Sequence, residues 1–319
     1  MFAVVLVGGF GTRLRPLTNA VPKPLLPLGQ RTILEWMMVH LARGGVTDAV
    51  LALGFKPEPF LAAFPDRTCA GVRLHFAIED SPLDTAGAIG FAARSVALHE
   101  RNEPFIVANG DIVTDLRIAD LVAAHQRHRT DGALATIHLT PVADPSQYGV
   151  VETTPDGLVT GFVEKPAPGT TASRHVNAGT YVLEPASLAA MPGDGPLSIE
   201  RVTFPHLVQQ QALFALQTND YWLDAGRPES YLRANLDLIS GARIDRDDAV
   251  HASAVLAPGC EVRDSVVGAG AHIGKGARVV DSVIGPRAVI GDGAVVERSV
   301  ALGDVAASHV VCDTLIAPA

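Results

Sequence analysis

The chain opens on an apolar, β-branched run, Val4-Val5-Leu6-Val7, that stops at the glycines Gly8, Gly9 and Gly11. A continuous apolar run of this kind predicts a buried parallel strand feeding a tight loop. Thr32-Ile33-Leu34-Glu35 has capping-box spacing, so a helix is expected over Trp36 to Arg43, stopped by Gly44-Gly45. Ala49 to Leu53, Val72 to Ile78 and Phe105 to Ala108 read as strands with helical segments between them. Thr85 is placed to cap a helix running to Ala97, and Asp115 to cap one over Leu116 to His128. This alternation predicts a doubly wound α/β sheet with ligands at the carboxyl ends of its strands.

Ala133 to Leu139 reads as a further strand. A hairpin is expected from the strand opened by Gln147-Tyr148-Gly149-Val150-Val151 to Leu158 to Val163, turning at Pro155-Asp156-Gly157. Ser198 to Gln210 reads as a helix, and so does Arg227 to Ser240, opened by Pro228 and closed by Gly241. From Val250 the period changes. Val250 to Val266, Val267 to Val283 and Ile284 to Val300 align with one another, and each ends in Ser-Val. Within each, an aliphatic residue recurs about every six positions, often followed by glycine, which is the hexapeptide pattern of a parallel β-helix. Ala301 to Ile316 is a weaker coil with the place of a cap. The expected division is residues 1–241 and 242–319.

At 319 residues, 48% of them apolar, the chain can bury a substantial core. A net charge of −9 excludes a broad nucleic-acid surface, so any phosphate site must be local. The three cysteines, Cys69, Cys260 and Cys312, are far apart and lack a C-x-x-C, which points to a reducing, cytoplasmic setting without a disulfide framework or structural zinc. No apolar run approaches membrane-spanning length. The opening run is short and has no basic stretch before it, which argues against a secretory signal.

The glycine loop is the first candidate site. Its glycines can take positive φ and let backbone N–H groups approach a ligand, making a concave seat for phosphate. Arg13, Arg15 and Lys23 add positive charge beside it. Neither the G-x-G-x-x-G dinucleotide fingerprint nor the Gly-Lys-Ser/Thr end of a Walker loop is present. Asn109-Gly110-Asp111 and Trp222-Leu223-Asp224-Ala225-Gly226 each put a carboxylate at a strand end beside small residues; the first is well placed for a metal, although that tripeptide taken alone reads as an ordinary loop aspartate. His125 and His128 sit three apart on one helix face beside Arg127 and Arg129 and read as surface residues of a solvated helix end.

Gly8-Gly9-Phe10-Gly11-Thr12-Arg13-Leu14-Arg15-Pro16-Leu17-Thr18 followed by Lys23-Pro24 closely resembles the signature of the sugar-1-phosphate nucleotidylyltransferases. Matching motifs continue to about residue 240. Leu-Val-Gly-Gly at the start and Ser198-Ile199-Glu200-Arg201 make the likeness strongest to the mannose-1-phosphate guanylyltransferases. The resemblance implies a mixed, mostly parallel sheet followed by a short left-handed β-helix. It implies an NTP, GTP before dTTP, and a sugar 1-phosphate as substrates, with Mg²⁺ as cofactor. No nucleic acid or membrane partner is expected, and a homo-oligomer formed through the repeat is. The nucleotide is expected against Leu6, Gly8, Gly9, Gly11, Thr12, Arg13, Lys23, Asp84, Thr85 and Gly110. The sugar phosphate is expected against Gly149, Glu164, Lys165 and Asn177, and the metal on Asp111 and Asp224. Arg13, Lys23 and Asp111 are the expected catalytic residues.

Asp84 stands where the family usually has glycine. Either it takes the glycine's left-handed backbone, or its carboxylate accepts from guanine N1–H and N2–H. Glu200 reads as a first-turn carboxylate placed by the helix dipole. Competing readings are thymidylyl transfer to glucose 1-phosphate, a non-catalytic regulatory subunit, and an acyltransferase tail using His272 or His309. The retained Arg13, Lys23, Asp111 and Asp224 disfavour the regulatory reading.

Overall fold

A computed structural model describes every residue except Phe10, Phe55, Lys56 and Ala319. The chain begins with β1 (Phe2–Leu6), a hairpin of β2 (Pro27–Leu28) and β3 (Arg31–Thr32), and α1 (Ile33–Arg43). There follow β4 (Asp48–Leu53), α2 (Glu58–Ala63), β5 (Thr68–Cys69), β6 (Val72–Ile78), α3 (Asp84–Ser95), β7 (Phe105–Asn109), β8 (Ile112–Thr114) and α4 (Ile118–His128). Then come β9 (Ala135–Pro141), β10 (Gly149–Thr153), β11 (Val159–Glu164), β12 (His175–Leu183), α5 (Phe204–Gln209), β13 (Leu213–Gln217), β14 (Trp222–Asp224) and α6 (Pro228–Ser240). Two compact units form. One holds Met1–Gly8 and Met37–Trp222, the other Gly9–Trp36 and Leu223–Ala319.

The first unit is built on a mixed sheet of order β11-β10-β12-β7-β1-β4-β6-β5, with β9 and β13 branching from β12. Its centre is parallel: β7 with β1, β1 with β4, and β4 with β6. The opening run earns its place there, since Ala3, Val4 and Val5 are fully buried. Val4, Val50, Val107, Ile137 and Tyr181 join one core with the alanine face of α3. The capping box at Thr32 forms as expected: the Thr32 N–H donates to Glu35 Oε2 at 2.6 Å and the Glu35 N–H to Thr32 Oγ1 at 3.1 Å.

Several local expectations are corrected. α4 starts after Arg117, so Asp115 is not its cap. α3 starts at Asp84, which puts Thr85 inside the helix rather than at its cap. Ser198 to Gln210 is not one α-helix: Ile199–Thr203 is a π-helical turn, and Phe204–Gln209 continues as α5. His125 is not a surface residue. It is fully buried, with Nε2 at 3.0 Å from Glu184 Oε1 and Nδ1 at 3.0 Å from Thr136 Oγ1. Arg129 Nε completes this polar knot at 2.7 Å from Glu184 Oε1.

In the second unit α6 ends at Gly241 in the left-handed conformation (φ 81°) expected of a C-terminal glycine. The repeat then folds as three parallel sheets, each contributed to by successive coils. Val255 pairs with His272 and His272 with Val289; Glu261 pairs with Arg278 and Arg278 with Val295. Ile273, Val279, Ile284, Ile290 and Val296 stack inside as one core. Corner serines bond coil to coil, Ser282 N–H to Ser265 Oγ and Ser299 N–H to Ser282 Oγ, each across 17 residues. The last step, Thr314 N–H to Ser299 Oγ, spans only 15, so the final coil is shorter than the others. Its Val311 and Ile316 are only partly buried against the stack, as a terminal coil's residues must be. His272 and His309 are exposed.

Candidate active site

In the first unit Leu6 and Gly110, both expected against the nucleotide, lie at neighbouring strand ends. Parallel register puts Leu6, the last residue of β1, opposite Asn109, the last of β7. The Gly110 N–H donates to Leu6 O at 2.8 Å, and a Cβ at Gly110 would lie 2.7 Å from Val7 Cγ1. Glycine is therefore required for the turn that delivers Asp111. Gly8 approaches the Gly54 backbone closely, with a Cβ position 3.3 Å from Gly54 N.

The segment with Asp84 and Thr85, expected against the base and ribose, follows β6. Asp84 has φ +56°, the left-handed region that glycine adopts without strain. One of its carboxylate oxygens accepts from the Thr85 N–H at 2.7 Å. Thr85 Oγ1 accepts from the Ile199 N–H and donates to Glu200 Oε2, both at 2.8 Å, and Ser198 Oγ donates to the same oxygen at 2.9 Å. Backbone bonds from Ala86 and Gly87 to Leu197 O, and from Leu197 to Leu83 O, bind the two segments together. Glu200 is thus fixed by hydroxyl donors.

Of the residues expected against the sugar phosphate, Gly149, Glu164 and Lys165 come together in the first unit. Gly149 pairs with Glu164 across β10 and β11. A Cβ at Gly149 would be 2.7 Å from Phe162 Cζ and 3.0 Å from Glu164 Oε2. Lys165 Nζ lies 3.2 Å from Glu164 Oε1, and its N–H donates to Tyr148 O at 3.0 Å. Lys165 is left-handed (φ 48°), a conformation that costs a lysine about 1 kcal/mol. Asn177 donates through Nδ2 to the Tyr181 hydroxyl at 2.9 Å and accepts from the Gly179 N–H at 3.1 Å, leaving one N–H and one lone pair for a ligand. Burial pushes the Tyr181 hydroxyl's pKa up, and the nearby charges of Glu200, Glu164 and Asp111 add to this. Tyr181, which holds Asn177, was not legible in that role: it sits in an apolar strand, and its hydroxyl is the only hint.

The second unit carries the cationic loop. Only Gly11 of the three loop glycines has positive φ (54°), and a Cβ there would be 3.0 Å from Thr18 Cγ2. At Gly9 a Cβ would meet nothing within 4 Å. Phe10 lies outside the described residues. Thr12–Leu14 and Lys23–Leu25 are single 3₁₀ turns that present Arg13 and Lys23. Lys23 is 6% exposed, and its Nζ is 3.3 Å from Asp224 Oδ1. Arg13 Nη2 is 3.8 Å from Asp224 Oδ2. Buried Gly226 leaves room for all three: a Cβ there would be 2.7 Å from Asp224 Oδ1, 2.8 Å from Arg13 Nη2 and 3.0 Å from Lys23 Nζ.

Both contacts to Asp224 are longer than the 2.7–2.9 Å or so of a tight charge-assisted bond. The carboxylate is not locked by either cation and keeps oxygen lone pairs for a hard metal. Among the described residues no group of three or more His, Cys, Asp or Glu side chains is arranged to hold a metal unaided. One or two carboxylates completed by water and substrate phosphate is the mode Mg²⁺ commonly uses, and Asp111 and Asp224 fit it by donor type.

A largely parallel α/β sheet with glycine turns at the carboxyl ends of its central strands is a frame for binding nucleotides. The chain belongs to the nucleotidyl transferase family, whose model matches residues 2–241. Among its relatives, the mannose-1-phosphate guanyltransferase of Schizosaccharomyces pombe is 38% identical over 261 residues, covering 81% of this chain and 68% of that protein. The probable mannose-1-phosphate guanylyltransferase 2 of Oryza sativa subsp. japonica is 39% identical over 278 residues, covering 82% and 74%. Of solved structures, HddC from Yersinia pseudotuberculosis superposes with a TM-score of 0.61 at 29% identity, over 73% of this chain and 97% of that one. A putative glucose-1-phosphate thymidylyltransferase from Bacillus anthracis shares the fold, with a TM-score of 0.65 at 23% identity over 78% and 98%. No helix among the described residues is long and apolar enough to cross a membrane.

Proposed function

We propose that the chain forms GDP-mannose and pyrophosphate from GTP and mannose 1-phosphate. The observation that carries this is the cluster of Arg13, buried Lys23 and Asp224 around Gly226, two cations and an acid held beside a glycine turn. The guanylyltransferase relatives favour guanylyl over thymidylyl transfer.

In this reading the sugar phosphate oxygen attacks the α-phosphorus of GTP in line, and pyrophosphate leaves. A phosphate is already ionised, so the protein needs no strong base; it must align reactants and neutralise charge. Arg13 and the N–H groups near Gly8, Gly9, Gly11 and Thr12 take the β and γ phosphates. Lys23 sits by the α-phosphate or the incoming phosphate. Leu6, Asp84, Thr85 and Gly110 line the base and ribose, with Asp84 acting through its backbone. Glu164, Asn177 and the Gly149 backbone hold sugar hydroxyls, and Lys165 the sugar phosphate. Asp111 and Asp224 would hold Mg²⁺, which when bound neutralises phosphate charge.

Residues 1–241 form the catalytic domain in this account, and 242–319 a hexapeptide-repeat domain that serves a homo-oligomer. A cytoplasmic setting agrees with three cysteines that form no disulfide. Pyrophosphate release, measured for the four common NTPs and dTTP against mannose, glucose and heptose 1-phosphates, tests the pairing. GTP with mannose 1-phosphate should turn over fastest, and Arg13→Ala should slow it by roughly 10²–10³, as loss of a transition-state donor does. Near-normal turnover in that variant, or faster use of dTTP with glucose 1-phosphate, refutes the reading.

A further inference from the structure

The loop carrying Lys23 is held by residues that have no part in the reaction proposed above. Its C-terminal continuation is the β2–β3 hairpin, and the turn of that hairpin is fastened to α6 and to the first coils of the repeat. The Gly29 N–H donates to Asn235 Oδ1 at 2.8 Å. Asn235 is fully buried on α6, and its Nδ2 donates to Tyr231 O at 3.0 Å, so its orientation is fixed. The Gln30 N–H donates to Asp247 Oδ2 at 2.7 Å, while Asp247 Oδ1 accepts from the Asp248 N–H at 3.0 Å. Gln30 Nε2 donates to Asp248 O at 2.9 Å and to Val267 O, inside the repeat, at 3.1 Å. The Tyr231 hydroxyl donates to Pro27 O. Gly29 is left-handed (φ 62°), and a Cβ on it would lie 2.5 Å from Asp247 Oδ2, so the close approach depends on glycine.

The path from this turn back to Lys23 is short and stiff. The Leu26 N–H donates to Lys23 O at 3.0 Å and the Ile33 N–H to Leu26 O at 3.1 Å. Leu26 and Leu28 are fully buried, and Trp36 Nε1 donates to Leu28 O at 2.8 Å. A lysine has a flexible four-carbon stem and a point charge, so its placement depends on its backbone.

We infer that Asn235, Asp247 and Gln30 are positioning residues for Lys23, and that α6 and the repeat serve catalysis by fixing the loop that bears it. This rests on the proposal that Lys23 acts on the substrate phosphates. A displacement of about 1 Å can lower a rate by about 10². Asn235→Ala and Asp247→Ala should therefore lower kcat by roughly 10–100-fold in the full chain, with the KM for mannose 1-phosphate moving by less than about threefold. Gln30→Ala, which removes only a partly exposed side chain, should give a smaller fall of the same kind and covers the case in which the buried variants fail to fold.

The deciding measurement is a double-mutant cycle, which reports whether two residues act through one another. On a Lys23→Ala background, Gln30→Ala or Asn235→Ala should cost almost nothing further. Asp247→Asn, which keeps an acceptor for the Gln30 N–H, should restore most of kcat relative to Asp247→Ala. Fully additive losses would overturn the inference while leaving the reading of the site intact. Normal turnover by Lys23→Ala alone would overturn the reading of the site, and this inference with it.

Discussion

Gly226→Ala is the most direct test of the cationic cluster. Gly226 is buried, but its φ is not left-handed, so alanine can adopt its backbone. What the position lacks is room. The added methyl would lie 2.7 Å from Asp224 Oδ1, 2.8 Å from Arg13 Nη2 and 3.0 Å from Lys23 Nζ, where ordinary contact starts at 3.4 Å. All three groups must retreat, by about 0.4–0.7 Å. The atoms that move are the ends of side chains rather than packed backbone, so the fold should lose only about 1 kcal/mol, the low end of the overpacking range. Part of this is offset because alanine restricts the unfolded chain.

Activity should respond far more. If a 1 Å error costs about 10², simultaneous shifts of this size in two phosphate-directed cations should lower kcat/KM by roughly 10–100-fold. Methyl burial beside the charges also strips water from them and opposes their return. The assay is pyrophosphate release with GTP and mannose 1-phosphate, run beside thermal unfolding of the same preparation. A melting temperature within a few degrees of the parent and a large fall in kcat/KM is the expected pair. A kcat/KM within about threefold of the parent, with an unchanged melt, would mean that Arg13, Lys23 and Asp224 are not where charge is neutralised in the reaction. A collapsed melt would mean that the backbone, not the side-chain ends, gives way.

Two further outcomes follow from the geometry. His138 is fully buried in β9, with Nε2 at 2.9 Å from Thr218 Oγ1, and burial, with a smaller contribution from His40, pushes its pKa down to about 4. Its neutral form is favoured in the fold, so this stability is fully present above the unfolded value near 6.5 and is lost as pH falls toward 4, on the order of 3 kcal/mol in all. Burial lowers the pKa of His125 as well, which acts in the same direction. Urea unfolding at pH 7.5 and 4.5 should show the loss, and His138→Gln should flatten it; an equal slope in both proteins refutes the assignment. At Asp84, Asp84→Gly should leave the preference for GTP over dTTP unchanged, because φ +56° is glycine's own region. Asp84→Ala should lose about 1–2 kcal/mol of stability through the left-handed backbone and the lost bond to the Thr85 N–H. A collapse of GTP selectivity in Asp84→Gly would instead make the carboxylate a reader of guanine.

Much of this was legible in the sequence because local spacing encodes local structure. The opening apolar run, the Thr32–Glu35 box, the Gly241 stop and the period of the repeat each needed only neighbours along the chain. What failed depended on partners elsewhere. His125 lies beside Arg127 and Arg129, and this charged stretch resembles a solvated helix end, yet His125 turns inward to Glu184, 59 residues away. Thr85 has the chemistry of a cap, but its hydroxyl is taken by Ile199 and Glu200, more than a hundred residues on. The glycines show the same division. Gly9 and Gly11 look alike in the motif, but only Gly11 has the left-handed backbone, while Gly226, outside the glycine loop, is required by three charged groups that the fold brings to it.

That contrast bears on how the site is kept. A motif residue such as Lys23 identifies the chemistry, but its 3.3 Å approach to Asp224 joins positions 201 residues apart. Such a distance survives only if the intervening structure is rigid. The Gly29, Asn235 and Asp247 contacts supply that rigidity from outside the motif. On the proposed reading, the residues that carry charge to the phosphates and the residues that hold that charge in place occupy different parts of the sequence. Substitutions far from the glycine loop should therefore alter turnover without touching a substrate.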